Sequence, residues 1–222
     1  MKTLIKISSH SQKCENGIYK QITINERARK YLKNRRIVEL SAILLLLLPL
    51  LIICVVIALI VCIDMKGKVI YIQERVGYKG KIFKMYKFRT MHSGANITED
   101  CFIHEEERVS KVGRFLRIHR LDELLQLFNV LKGEMSIVGP RPEILSHYDY
   151  FSRHIPNYYF RKNVPPGITG LAQIRIPHHI TLDGGNERLH CDLEYIKNIS
   201  FKLDIKILIQ TIPIMYLGKG AK

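Results

Sequence analysis

The sequence predicts a helix-rich α+β protein in which one apolar membrane helix leads into a small domain containing a β-hairpin and helices suited to a membrane interface. Three observations carry this. Leu40 to Ile63 is a run of 24 residues without a charge, about 36 Å as a helix against a hydrocarbon core of roughly 30 Å. Lys68 to Gln73 and Lys81 to Arg89 are rich in Val, Ile, Tyr and Phe and are separated by Gly77-Tyr78-Lys79-Gly80, the pattern of two strands and a turn. Leu121, Leu124, Leu125, Phe128 and Leu131 then recur at helical spacing. At 222 residues, 47% of them apolar, the chain has room for one domain plus attachments.

Residues 1 to 25 carry no readable chemistry, and the N-terminal extension is taken to reach residue 33. Glu26 to Glu39 is basic with Ala28, Tyr31, Leu32, Ile37 and Val38 interspersed, which suits an approach along the interface with cations toward anionic lipid. The net charge of +15 calls for a polyanionic partner, whether nucleic acid, anionic membrane or a phosphorylated substrate. The apolar run selects the membrane. Its length, its start some forty residues in and the lack of a small-residue cleavage site argue against a cleaved signal peptide. Arg27, Arg29, Lys30, Lys33, Arg35 and Arg36 precede the run, and Lys66, Lys68, Arg75, Lys79, Lys81 and Lys84 follow it. This balance is better satisfied if both ends share the cytoplasmic face. Pro49 permits such a return by removing a backbone donor and leaving arms of nine and fourteen residues, each too short to span. A tilted single span kinked at Pro49 fits the residues equally well. Cys14, Cys54, Cys62, Cys101 and Cys191 form no Cys-x-x-Cys pair, as expected of free thiols in a reducing compartment.

On the second strand, alternation puts Phe83, Met85, Lys87 and Arg89 on one face, so two cations project together as a phosphate-seeking pair or as charges guarding a strand edge. Gly94 to Arg108 reads as a polar connection, with Glu105, Glu106 and Glu107 a solvated patch. Next, Arg114, Arg117 and Arg120 lead at three-residue intervals to Asp122 and Glu123, at the start of a helix expected over Leu121 to Leu131 and stopped by Gly133. Asp122, Gln126 and Asn129 share the face opposite the leucines, and the positive helix end should keep Asp122 ionised, able to act as nucleophile or metal ligand. Arg141 follows between Pro140 and Pro142. Several guanidiniums exceed what two carboxylates need, so an additional anion, such as a nucleotide diphosphate, fits the deficit. A solvated basic helix face is the plainer alternative.

Ile144 to Arg161 is helical in pattern, and Val164-Pro165-Pro166-Gly167-Ile168-Thr169-Gly170 reads as a turn whose glycines can bring backbone donors to a phosphate. His178 and His179 are adjacent and would point apart, which argues against a metal pair. A helix-like stretch begins at Asp192, and Ile199 to Leu217 is too charged to span, suiting a helix on the membrane or core that ends near Pro213.

From Asn34 to Ala221 the chain resembles the bacterial sugar transferase family, the monotopic polyprenyl-phosphate phosphoglycosyl transferases. The resemblance rests on an ordered set: Arg35-Arg36-Ile37-Val38-Glu39, Gln73-Glu74-Arg75-Val76-Gly77, Lys87-Phe88-Arg89-Thr90-Met91, Leu121-Asp122-Glu123-Leu124-Leu125-Gln126-Leu127, Asn129-Val130-Leu131-Lys132-Gly133-Glu134-Met135-Ser136, Val138-Gly139-Pro140-Arg141-Pro142 and Pro166-Gly167-Ile168-Thr169-Gly170-Leu171-Ala172-Gln173. It implies that Asp122 attacks the β-phosphate of a nucleoside-diphosphate sugar, usually a UDP-sugar. Undecaprenyl or another polyprenyl phosphate then takes the phosphosugar from the aspartate, which starts a surface glycan. It further implies Mg²⁺ at Glu123, with Lys87, Arg89, Arg117, Arg141, Thr169 and Gln173 as substrate- and phosphate-binding residues. The implied architecture is a re-entrant membrane helix over residues 34–66, broken at Pro49, and a cytoplasmic catalytic domain over 67–222 on the inner membrane face, with membrane lipids and no nucleic acid as partners.

Three positions depart from the family pattern: Leu48 where serine commonly precedes the proline, Glu39 where aspartate is common, and Leu125 where proline is common. After Gln173 the chain reads Ile174-Arg175-Ile176-Pro177-His178 in place of an Asn-Gly-Arg-Asn-like stretch, so the sugar stays open. The rival from another class is a non-catalytic membrane-anchored basic module that binds anionic lipid or polyphosphate.

Overall fold

The computed structural model describes residues 26–92, 108–176 and 181–217. The N-terminal 25 residues, the glutamates Glu105, Glu106 and Glu107, and His178 and His179 lie outside the described residues.

The apolar run divides between two helices, α1 (Glu26–Leu45) and α2 (Leu47–Met65). The break falls at Leu46 and not at Pro49, which is the third residue of α2. A proline ring clashes with the carbonyl four residues earlier, here Leu45, so one helix cannot continue across it. Within the first turn of a new helix, however, an N–H has no intrahelical acceptor to lose. Of the two, α2 is long and apolar enough to cross a membrane. Leu45, Leu48 and Ile52 near the break are exposed. The ends of both helices away from the break pack on the same body: Ala28, Tyr31 and Leu32 join the cluster of Tyr158, Tyr195 and Ile196, and Ile57, Val61 and Met65 lie with Phe88, Leu116 and Leu125, while Ile43, near the break, lies with Phe83, Met85, Val130 and Met135. Polar contacts also fasten α1. Arg35 Nη1 donates to Tyr195 Oη at 2.7 Å and to Asp204 Oδ2 at 2.9 Å. Arg36 donates to the Val130 and Leu131 carbonyls, and Glu39 accepts from the Ser136 hydroxyl and the Ile137 N–H.

The expected hairpin is β1 (Ile70–Val76) against β2 (Ile82–Phe88), antiparallel with Ile70 opposite Phe88 and Val76 opposite Ile82. Its turn requires positive φ at Lys79 and Gly80, and Phe83 and Met85 face inward as the alternation predicts. Then α3 (Lys111–Ile118) begins at Ser110, whose hydroxyl accepts the Gly113 N–H at 2.8 Å.

The single helix expected over Leu121 to Leu131 is a 3₁₀ turn, Leu121–Glu123, followed by α4 (Gln126–Lys132), which does stop at Gly133 with φ +83°. Arg120 enters the turn in the left-handed conformation, φ +54°. Both faces of this stretch are largely covered. Gln126 and Asn129 are buried at 1% and 0% exposure, whereas Phe128 is 45% exposed. Asn129 explains this: its side chain accepts the Tyr86 N–H at 3.2 Å and donates to the Lys84 carbonyl and Glu134 at 2.7 Å each, docking α4 on β2.

Beyond α4, β3 (Ser136–Val138) pairs in parallel with β4 (Gly167–Thr169), so the Pro-Pro-Gly region is a turn followed by a strand. Gly167 is there for close approach: a Cβ would lie 2.1 Å from Gly139 N. The helix expected from Ile144 to Arg161 is α5 (Leu145–His154) and a separate 3₁₀ stretch, Tyr158–Asn163, parted at Pro156 and at Asn157 with φ +67°. After α6 (Leu171–Arg175), α7 (Leu182–Lys197) begins ten residues before Asp192, capped by Thr181. Gly184 and Gly185 disguise its start, Gly185 because it faces Phe151 and Ile155 without room for a side chain. Finally α8 (Phe201–Leu217) runs through Pro213. Its Asp204 and Ile207 are buried against the main core of Phe151, Ile155, Tyr158, Leu193, Tyr195 and Ile196.

Candidate active site

The strand β2, the Leu121–Glu123 turn and the segment after β3 converge on two acids. Lys87, carried inward by strand alternation, places Nζ 2.7 Å from Glu123 Oε1 and 4.0 Å from Asp122 Oδ2. Arg141 forks onto the same glutamate, with Nη2 2.7 Å from Oε1 and Nη1 3.4 Å from Oε2. Arg117 Nε donates to Thr90 Oγ1 at 2.9 Å, and its charge acts on Asp122. Asp122 and Glu123 are themselves buried.

Other predicted residues sit elsewhere. Arg89 Nε donates to the Met91 carbonyl at 2.9 Å, on its own strand's extension. Thr169 Oγ1 lies 2.8 Å from Thr211 Oγ1, whose own proton goes to the Ile207 carbonyl, so Thr169 ties β4 to α8. Gln173 Nε2 donates to the Ile168 carbonyl at 3.0 Å. None of these three makes a hydrogen bond or ion pair to Asp122, Glu123 or Arg141 among the described residues. The arginine ladder does not converge as a set either: Arg114 is exposed, and Lys87, Arg117 and Arg141 are the cations that the acids feel.

The two carboxyls diverge electrostatically. Burial raises both. For Glu123 the charges of Arg141 and Lys87, with their hydrogen bonds, outweigh burial and hold it well below the usual carboxylate range. Asp122 is raised, chiefly by burial and further by the charge of Glu123, with Lys87, Arg141 and Arg117 opposing. The turn that holds Asp122 continues in right-handed helical backbone through Leu124 and Leu125 into α4, so the acid stands at the start of that stretch, where burial nonetheless raises its carboxyl. Glu123 is thus fixed and ionised by two cations, while Asp122 accepts no hydrogen bond among the described residues.

A divalent cation requires several oxygen or nitrogen donors around one point. No cluster of three or more metal-ligating side chains occurs among the described residues. What fits is an ion that takes one or two carboxylates and fills its remaining positions with water and substrate phosphate, the habit of Mg²⁺. Glu123 Oε2, with its one long contact of 3.4 Å, retains acceptor capacity for it.

Behind Arg141 lies a buried ionic group that the sequence did not reveal. Arg161 Nε is 2.6 Å from Asp192 Oδ2, and Arg161 Nη1 and Arg188 Nη1 lie 3.2 and 3.3 Å from Glu143 Oε1. Arg188 and Asp192 are spaced to share a face of α7, the one local signal available, yet nothing in the spacing joins them to residues 143 and 161. An open cleft adjoins, lined by Gly77, Pro140, Arg141, Tyr148 and Lys162 among others.

The chain is similar in sequence to known proteins. The family model described as "Bacterial sugar transferase" matches residues 29–218. A UDP-glucose:undecaprenyl-phosphate glucose-1-phosphate transferase of Klebsiella pneumoniae is 44% identical over 190 residues, covering 83% of this chain and 40% of that protein. A UDP-N-acetylgalactosamine-undecaprenyl-phosphate N-acetylgalactosaminephosphotransferase of Aeromonas hydrophila is 40% identical over 170 residues, covering 74% of this chain and 39% of that protein. The chain therefore spans about two fifths of the length of these curated relatives. It matches a shorter one, the uncharacterized sugar transferase EpsL of Bacillus subtilis, over 84% of this chain and 89% of that protein at 36% identity.

Proposed function

Because the chain belongs to the bacterial sugar transferase family, we propose that it transfers a sugar 1-phosphate from a UDP-sugar to undecaprenyl phosphate, the donor and acceptor classes in its relatives' names. The product would begin a surface glycan on its lipid carrier. The observation that carries this reading is the unequal treatment of two adjacent buried acids: Glu123 is clamped by Lys87 and Arg141, and Asp122 is left free beside the same cations.

In the first step an Asp122 carboxylate oxygen attacks the β-phosphorus, the bond to the bridging oxygen breaks and UMP leaves, so the phosphosugar becomes an acyl phosphate on Asp122. In the second, an oxygen of the lipid phosphate attacks the same phosphorus, the bond to Asp122 breaks and the carboxylate is restored. Lys87, Arg117 and Arg141 lower the repulsion between carboxylate and diphosphate and stabilise charge developing on the phosphoryl oxygens. Mg²⁺, which Glu123 would hold, supplies further charge neutralisation on the diphosphate when bound. Arg89, Thr169 and Gln173 hold backbone and side chains of the surrounding fold in this reading.

We place the domain on the cytoplasmic face, with α1 and α2 as a re-entrant hairpin turning at Leu46. The packing of Ala28, Tyr31 and Leu32 of α1 and of Ile57, Val61 and Met65 of α2 on one body supports this, since a straight span would carry those ends to opposite sides of the bilayer.

The test is UMP release by detergent-solubilised protein supplied with Mg²⁺, undecaprenyl phosphate and a panel of UDP-sugars. The relatives' names differ in the sugar, so the panel also identifies it. Asp122→Asn should abolish release while leaving the thermal midpoint in place, and chelation by EDTA should stop turnover until Mg²⁺ is restored. Unchanged turnover in Asp122→Asn would remove Asp122 as the nucleophile.

A further inference from the structure

The Pro140-Arg141-Pro142-Glu143 segment is bound through its carbonyls, all four in succession. Gly167 N–H donates to the Pro140 carbonyl at 2.9 Å, and Val76 N–H donates to the Glu143 carbonyl at 2.9 Å. Between them, Arg161 Nη2 donates to the Arg141 carbonyl at 3.0 Å, and Arg75 Nη1 donates to the Pro142 carbonyl at 3.0 Å. Two of the four residues are prolines without an N–H, so this backbone cannot be held by a ladder of its own, and the carbonyls are its available handles.

Arg161 has the geometry of a hub. Its Nε is committed to Asp192 at 2.6 Å, and its Nη1 donates to the Tyr158 hydroxyl at 2.6 Å and to Glu143 Oε1 at 3.2 Å. Arg188 Nη1 reaches the same Glu143 oxygen at 3.3 Å. Arg161 and Asp192 are almost wholly buried, at 7% and 0% exposure. A guanidinium with its fork directed at protein acceptors on three sides binds no substrate with those protons. What it touches instead is the main chain that carries Arg141, the residue that clamps Glu123.

We propose that Arg161, with Arg75 as its counterpart on the hairpin, is a positioning residue for Arg141, setting where its guanidinium meets Glu123 and the phosphates of the proposed substrate. This rests on the transferase reading for its catalytic consequence and not for its structural one. A lysine at 161 keeps the charge but has one nitrogen for four acceptors, so the Arg141 carbonyl loses its donor. A misplacement on the order of 1 Å in a group that stabilises developing charge costs on the order of 10²-fold in rate, which makes a loss of 10-fold or more reasonable for a partial shift.

The experiment is a double-mutant cycle on UMP release in the full chain, combining Arg161→Lys with Arg141→Lys, alongside thermal unfolding and hydrogen exchange of the peptide covering residues 139–144. The expected result is a kcat lowered about 10-fold or more by Arg161→Lys with KM for the UDP-sugar nearly unchanged, and less than about 2-fold further loss in the Arg141→Lys background. Exchange at 139–144 should quicken in Arg161→Lys by more than any change in global stability explains. Equal fold-losses in both backgrounds would show that Arg161 acts independently, for instance by touching substrate in the adjoining cleft, and would overturn the proposal. Unchanged exchange at 139–144 would overturn it as well. If Arg161→Lys does not fold, Arg75→Lys enters the same cycle with the same criteria. A wild-type chain that releases UMP from no donor defeats the transferase reading alone, since the exchange measurement still decides whether Arg161 holds the segment.

Discussion

Replacing Lys87 by methionine keeps most of the aliphatic stem and removes the charge that lies 4.0 Å from Asp122 Oδ2 and 2.7 Å from Glu123 Oε1. At 4.0 Å a unit pair interacts by about 4 kcal/mol at an effective dielectric constant near 20. The Lys87 side chain is 16% exposed, so water screens little of this. Arg117 and Arg141 remain and the site relaxes, which leaves roughly 1.5–3 kcal/mol of lost support for the ionised aspartate. In the proposed mechanism Asp122 must be ionised to attack. Its carboxyl is already raised by burial and by the charge of Glu123, with Lys87 the first of the groups that oppose them. Removing Lys87 therefore raises it further, and activity, which falls as pH drops through the Asp122 pKa, is lost from a higher pH downward. Initial rates of UMP release across a pH series should show the acid limb moved to higher pH in Lys87→Met. On that limb the loss should exceed the loss on the plateau by about 10-fold or more, the equivalent of 1.4 kcal/mol. Lys87→Arg should return the limb most of the way. An acid limb in Lys87→Met that coincides with wild type, or moves to lower pH, would refute Lys87 as the group that keeps Asp122 ionised.

Three further outcomes follow from the structure. Gly167→Ala puts a Cβ 2.1 Å from Gly139 N and 2.5 Å from Thr169 O, both backbone atoms, so it should destabilise by about 1–3 kcal/mol through overpacking; a thermal midpoint equal to wild type would contradict the β3–β4 contact. Asp204→Ala strips Arg35, Tyr31 and Tyr195 of a shared acceptor and leaves a buried guanidinium with Glu39 at 3.7 Å as its remaining ion pair. That should cost about 3–5 kcal/mol by the usual penalty for breaking a buried pair, read as a lower unfolding midpoint in detergent, whereas a surface-like change of a few tenths would not fit. For topology, single cysteines introduced before Glu26 and after Lys66 on a cysteine-free background should label from the same side of sealed vesicles; labelling from opposite sides would establish a span and end the re-entrant reading.

The site was legible where chemistry and spacing are local. Lys87 follows from period-two alternation on β2, the acids stand adjacent in the chain, and Arg141 announces itself between two prolines. The breaks and buried partners were less legible, because each depends on residues far away in sequence. Gly167 reads as a turn glycine until Gly139 is placed against it, and the Glu143, Arg161, Arg188 and Asp192 group joins three separate segments. At Pro49 the residue was right and the break was three positions off, because a proline forbids the turn that precedes it and not its own position in a new helix.

Helical spacing places the leucines of the Leu121 to Leu131 stretch on one face and Asp122, Gln126 and Asn129 on the other, and in the structure both faces find partners. In the structure Leu121 and Leu124 pack with Ile57, Val61 and Met65 of α2, and Leu127 and Leu131 pack around Ile43 of α1. The apolar stripe thus packs toward α1 and α2, with Phe128 between its flanks 45% exposed. Asp122, Gln126 and Asn129 turn inward because β2 offers Lys87 to the acid and backbone partners to Asn129. One short stretch therefore packs its leucines on α1 and α2 and carries buried polar groups on its other side. In the proposed function that arrangement would bring the Asp122 carboxylate beside an apolar surface, where a phosphate borne on a lipid can meet it.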